Sequence, residues 1–377
     1  MEPSKGASTG GGDGDNEQQQ RRSGDRKRVR SPWIDHVVTQ ALHFIQAQQQ
    51  QQRALAPGQP SRKQARRSSV IEFLPDEVVA KVFFSGFMDS IEIIRTLSVV
   101  SKRLNKIAHS TVNMLDLRGC TSLTPIDTSS LVSRYSNLTE LHFDYCKQFG
   151  DDHLVALSSL NDTLHGLHLR GTSVTDRGFA ALFGRRVLGE NISNLKVLDL
   201  GVVTKDDCQQ LRITDATVDL LPENCPHLRV LILDWCKGVT TASMTSIAKL
   251  VHLSSLSLML TSVGDVGELT KIPRLASLDL SAAPLTEEGL LGLLKGDACR
   301  LPYLRELKLR FQRCLTEAVV DKVAAHVPRL KFLDIRNSSL SASDKIESVR
   351  SLKFRGVTVQ IDLVTPSAPT MVRRRPG

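Results

Sequence analysis

One pattern recurs nine times along this chain: LxxLxLxxC or a close relative, as in VNMLDLRGC, LTELHFDYC, LHGLHLRGT, LRVLILDWC and LRELKLRFQRC. Its central leucines are Leu115, Leu141, Leu167, Leu198, Leu231, Leu256, Leu278, Leu307 and Leu333, separated by 22 to 33 residues. Side chains two apart lie on one face of a strand, so each unit carries its leucines on one side of a short strand. The remaining residues suffice for a turn and a returning helix. A unit this small buries too little apolar surface to offset the entropy of ordering its own backbone. Its stability must come from stacking on its neighbours.

A repeat of this length and form is the leucine-rich-repeat signature. It predicts an α/β solenoid with a parallel sheet on the concave side and helices on the convex side. Residues between the leucines face outward in fixed register, about 5 Å apart from repeat to repeat. Repeat arrays bind through such surfaces. The candidate target-binding residues are therefore His142, Asp144, His168, Arg170, Asp199, Asp234, Lys308, Arg310 and Arg336, against the bland alternative of a solvated sheet face. Tyr145 and Trp235 stand at the strand exits just before Cys146 and Cys236. They read either as recognition anchors or as side chains packed on a neighbouring loop. The fourth unit carries eight extra residues, and its segment 203–212 is expected to project from the rim, as a target contact or a neutral loop.

Cys120, Cys146 and Cys236 share one position in the repeat, with Cys314 shifted by a residue or two. Repetition in register argues for small buried side chains whose S–H groups meet backbone carbonyls. The sequence holds no CxxC pair and no HxxxH spacing, so neither a metal nor a cofactor is expected. Nor does it hold a Gly-rich phosphate loop, a GxSxG elbow or an HExxH helix. His142 and His168 fall on adjacent strands with Asp144 close by, but such groupings arise on any polar sheet face. No catalytic residue is assigned, and the chain is expected not to be an enzyme.

The formal charge of +9 suggests nucleic acid until it is mapped. Residues 1–70 hold twelve Lys/Arg against six Asp/Glu, and Arg373, Arg374 and Arg375 supply the rest of the excess. Residues 71–372 are formally neutral, so no basic face is available to track phosphates, and no specific nucleic acid is expected. Gly, Gln and basic clusters mark residues 1–70 as a disordered arm, with one helically spaced stretch around Trp33, Val37 and Ala41. Residues 363–377 read as a disordered basic tail. No apolar run reaches the ~20 residues of a membrane helix. Seven scattered cysteines and the absence of a signal pattern fit a reducing compartment, cytoplasmic or nuclear.

Between the arm and the repeats, the pattern of residues 71–110 predicts compact helices. Val78, Val79, Val82 and Phe83 stripe one, and Ile93, Leu97, Val100, Leu104 and Ile107 line one face of the next. So small a module cannot cover its own apolar faces. The stretch LPDEVVAKVFFSGFMDSIEIIRTLSVVSKRLNKIA resembles an F-box, from Leu74-Pro75-Asp76-Glu77 to the closing Val99-Val100-Ser101-Lys102-Arg103. The repeats of 111–362 resemble the cysteine-containing subtype of leucine-rich repeats, with Cys225-Pro226-His227-Leu228 and Thr-Asp or Thr-Glu turns at Thr175, Thr214, Thr286 and Thr316. Those threonines would cap the return helices. The resemblance implies a substrate receptor of a ubiquitin ligase. Its F-box would bind a Skp-type adaptor on a cullin scaffold through Leu74, Pro75, Val78, Val82, Leu97, Val100 and Leu104, and its repeats would hold a protein substrate. The family often has Trp where this chain has Leu104, which keeps the apolar contact and loses area. The alternative reading is a non-ligase scaffold whose helical module caps the solenoid.

Overall fold

Alternation of leucine and polar residues yields the ladder that the spacing predicts. The computed structural model describes residues 112–135, 137–160, 163–184, 193–203, 211–294, 301–340 and 347–361, with Arg103, Lys106, Ile107 and Ser110 before them. Contacts divide the chain into Met1–Val82 and Phe83–Gly377, and every described residue belongs to the second unit. The arm 1–70, the tail 363–377 and almost all of the helical module 71–110 lie outside the described residues.

Among the described residues, ten parallel strands follow one another in sequence order. They are β1 (Met114–Asp116), β2 (Glu140–His142), β3 (Gly166–His168), β4 (Val197–Asp199), β5 (Val230–Ile232), β6 (Ser255–Ser257), β7 (Ser277–Asp279), β8 (Glu306–Lys308), β9 (Phe332–Asp334) and β10 (Thr358–Gln360). The nine central leucines pair rung to rung from Leu115 to Leu333, and each is at most 2% exposed. Val359 continues the line beside Leu333 as a tenth rung that the leucine count misses.

The returning segments are α1 (Pro125–Arg134), α2 (Asp151–Ala156), α3 (Asp176–Gly184), α4 (Asp215–Asn224), α5 (Met244–Ile247), α6 (Glu287–Gly292), α7 (Glu317–His326) and α8 (Glu347–Phe354). Each contributes apolar residues to one continuous core behind the sheet. The shortest unit, between Leu256 and Leu278, returns through a 3-10 turn at Gly267–Lys271 instead of an α-helix. A 3-10 turn covers more length per residue, so it closes the circuit with fewer residues.

Thr175, Thr214 and Thr286 cap as expected, whereas Thr316 makes no side-chain cap bond and donates to Glu287 of the preceding repeat instead. Thr214 Oγ accepts from Ala216 N–H at 3.2 Å while donating to Asp176 of the preceding repeat at 2.6 Å. Asp176 also accepts from the Thr214 N–H at 2.9 Å and the Thr217 hydroxyl at 2.5 Å. Asp151 holds Thr175 in the same way, and Asp215 holds Thr240 and Ser243. Neighbouring repeats are thus joined by charge-assisted hydrogen bonds on the helix side as well as by the strand ladder. Among the described residues, no helix is long and apolar enough to cross a membrane.

Candidate functional site

The register that aligns the leucines also aligns the side chains between them. On the N-terminal half of the face, His142 and His168 are rung partners. Their rings stack with centroids 4.2 Å apart and planes 10° from parallel. Glu140 reaches both, with Oε1 3.1 Å from His142 Nε2 and 3.6 Å from His168 Nε2. It can lie there because its own rung partner is Gly166, where a Cβ would come within 3.0 Å of Glu140 Cγ. Behind the rings, Asp144 sits 3.8 Å from His142 Nδ1 and accepts from the Arg170 N–H at 3.2 Å.

Arg170 carries the network across two further strands. Its Nε donates to Asp199 at 3.1 Å and its Nη2 to Asp234 at 3.0 Å. Gly201 leaves room for it, since a Cβ there would stand 2.8 Å from the guanidinium carbon. Asp199 also accepts from the Gly201 N–H at 2.9 Å, and Asp234 accepts from the Ser257 hydroxyl.

The electrostatics follow from these contacts. Asp144, with help from Glu140 and Asp116, raises His142 above the ordinary imidazole value, although partial burial opposes this. Burial and the adjacent His142 push His168 below it. Burial alone would lift Asp144, but its donors His142 and Arg170 leave it lower than usual. At Asp199 burial outweighs the pull of Arg170 and the carboxyl is raised. Burial works against the Arg170 cation, while Asp199 and Asp234 hold its pKa above the normal value.

Sequence reasoning places His142, Asp144, His168, Arg170, Asp199 and Asp234 on the outer face and passes over Glu140. The structure instead buries Asp144, Asp199 and Asp234, which are 9%, 6% and 8% exposed, and occupies their oxygens with neighbours. They brace the face, whereas His142, His168 and Arg170 are partly open. At the C-terminal half Lys308 lies 3.7 Å from Asp279. Arg336 grips Asp334 at 2.9 and 2.6 Å, and Arg310 approaches the same carboxylate at 3.9 Å. The side chains of these three cations remain more than a third exposed.

A second row runs along the strand exits, four residues after each central leucine. Here φ is positive at Gly119, Tyr145, Gly171, Trp235, Leu260, Ala282, Phe311 and Asn337. The N–H of this residue reaches across to the next repeat, as from Tyr145 to the Arg170 carbonyl at 2.7 Å and from Trp235 to Met259 at 2.7 Å. Glycine fits this left-handed turn without cost, while a bulky L-residue is strained there by ~1–2 kcal/mol. Yet Tyr145, Trp235, Leu260 and Phe311 all occupy it, and Tyr145 and Phe311 are more than half exposed. Leu260, Ala282 and Phe311 were not apparent as members of this row, because their shared backbone conformation is invisible in residue type. Val202 is the unit lacking the turn, and it leads into the insertion. Residues 204–210 of that insertion lie outside the described residues, and its ends Val203 and Leu211 are exposed.

The next position holds the repeated cysteines; Cys146 and Cys236 are buried in the structural role expected of them, whereas Cys120 is only partly buried. Cys146 Sγ donates to the Leu117 carbonyl at 3.0 Å and Cys236 Sγ to Leu200 at 3.4 Å. In the eighth unit Gln312 takes that place, donating to the carbonyls of Leu280 and Ala283 at 2.5 and 3.1 Å. Cys314 lies beyond it, with Sγ 3.7 Å from Gln312 Oε1. Burial pushes the Cys225 thiol up to about 12 and raises Cys236 further, so neither is a nucleophile.

The adaptor-contact candidates Leu74, Pro75, Val78, Val82, Leu97, Val100 and Leu104 all lie outside the described residues. No protein-family model matches the chain. Over 134 residues, 32% of its length, the chain is 32% identical to F-box protein MAX2 homolog A from Petunia hybrida, and the match spans 18% of that protein. Among solved structures it is similar to internalin C2 of Listeria monocytogenes, at 21% identity over 61% of this chain and 86% of that chain, with a TM-score of 0.42. It is also similar to the Rad7 and Elc1 complex of yeast, at 17% identity over 88% of this chain and 98% of that chain, with a TM-score of 0.37.

Proposed function

We propose that this F-box/leucine-rich-repeat protein is the substrate-recognition subunit of a Skp-cullin-F-box ubiquitin ligase. Its helical module docks on a Skp-type adaptor, and the sheet face with its strand-exit edge holds the target protein. The observation that carries target binding is the strained apolar row. Tyr145, Trp235, Leu260 and Phe311 keep a backbone conformation that glycine would adopt freely, and they present apolar surface beside a polar face. Strain retained at a partly exposed edge is characteristic of recognition surfaces, and Tyr and Trp are the commonest interface anchors.

The chain then works by proximity. Holding a target near the ubiquitin carrier raises its effective concentration, and no residue of the receptor takes part in bond making. The reading places the protein in the cytoplasm, the nucleus or both.

The test is co-purification of the full chain with a Skp-type adaptor, comparing wild type with Leu74→Ala, Pro75→Ala. The expected result is a stoichiometric complex that the double variant loses. A well-folded chain that binds no adaptor in either form would overturn the receptor reading and leave a repeat scaffold capped by its helices.

A further inference from the structure

We infer that Glu140, His142 and His168 form a binding site for a divalent transition-metal ion, with Zn2+ the best-matched probe. The three donor atoms lie within 4.8 Å of one another. Both imidazoles direct Nε2 toward the same carboxylate oxygen, at 3.1 and 3.6 Å. A tetrahedral zinc ion with ligands at about 2.0–2.2 Å needs donors roughly 3.3 Å apart, close to both distances. Two imidazoles and a carboxylate leave one position open, and it faces solvent because all three side chains are partly exposed.

The surroundings match what a ligated imidazole requires. A metal-bound histidine is oriented by a carboxylate on its other ring nitrogen, and Asp144 stands on that side of His142, fixed in turn by the Arg170 N–H. Gly166 clears the path by which Glu140 crosses to the neighbouring strand. Asp144, His168 and Asp199 also converge within 4.8 Å, but Asp199 is buried and engaged by Arg170 and the Gly201 N–H. The Glu140 group is therefore the site. Entry of the ion splays the parallel ring stack, a rotation about broad ring torsions available to partly exposed side chains. The site stands independently of whether the face holds a ubiquitination target. The repeat pattern already sets the two histidines on adjacent strands; what it passes over is Glu140, whose reach to both rings only the structure shows.

The experiment strips the full chain by dialysis against a chelator, then titrates Zn2+ calorimetrically and Co2+ by absorption. The expected result is one Zn2+ per chain, lost in His168→Ala and in Glu140→Gln, and weakened about tenfold or more in Asp144→Asn. Bound Co2+ should show ligand-field bands without thiolate charge transfer. Circular dichroism melts identify any variant that has unfolded, and if His168→Ala does so, Glu140→Gln decides. No stoichiometric uptake, uptake unchanged in a folded ligand variant, or a cobalt–thiolate band would each overturn the assignment.

Discussion

Replacing Arg170 with alanine is expected to destabilise the repeat domain by about 3–5 kcal/mol, the scale for removing one partner of a buried charge network. The guanidinium spans β3, β4 and β5, meeting Asp199 at 3.1 Å and Asp234 at 3.0 Å. Both carboxylates are buried, so their charges would be stranded instead of returned to water. Urea unfolding followed by circular dichroism measures the loss. Adding Asp199→Asn and Asp234→Asn to Arg170→Ala should recover most of it, because amides tolerate burial better than unpaired carboxylates. A loss below about 1 kcal/mol, the value of a screened surface pair, would show that solvent reaches the network freely.

The second large effect is expected on the opposite side of the solenoid. Asp176 accepts three hydrogen bonds from the following repeat, two from Thr214 and one from Thr217. Each hydrogen bond to a charged group contributes about 1.5–3 kcal/mol, and part of that is offset because alanine carries no desolvated charge. Asp176→Ala should therefore cost about 4 kcal/mol, including the favourable position of an anion in the first turn of α3. Asp176→Asn keeps an acceptor and should cost distinctly less. Equal losses for the two substitutions would mean that packing, not the hydrogen bonds, joins these repeats.

The ladder was legible because its signal is both local and repeated: Leu115 to Leu333 carry the same pattern nine times. The tenth rung was not, since Val359 stands where the pattern expects leucine and its strand ends the series. Cysteine chemistry was legible for the same reason as the ladder. At Gln312 it failed, because a different side chain meets the same carbonyl and residue type alone conceals the equivalence. His142, His168, Asp199 and Lys308 lie on the sheet as expected, while Asp144, Arg170, Asp234, Arg310 and Arg336 fall in the turns just past their short strands, and the burial of the aspartates was not readable. Whether Asp199 faces solvent depends on where the long Arg170 side chain folds, and that is set by the space above Gly201 in the next repeat. The helical module is a different case, since its residues lie outside the described part of the chain.

The left-handed turn at the strand exits makes the repeat array an engineering problem with separable goals. Tyr145 and Phe311 are exposed side chains in a conformation that glycine prefers, so Tyr145→Gly and Phe311→Gly should each gain roughly 1 kcal/mol, read as a higher urea midpoint. The same changes strip apolar surface from the edge. A consensus-optimised version of this protein would then be more durable and poorer at recognition, with thermostability and affinity drawn from the same residues in opposite directions.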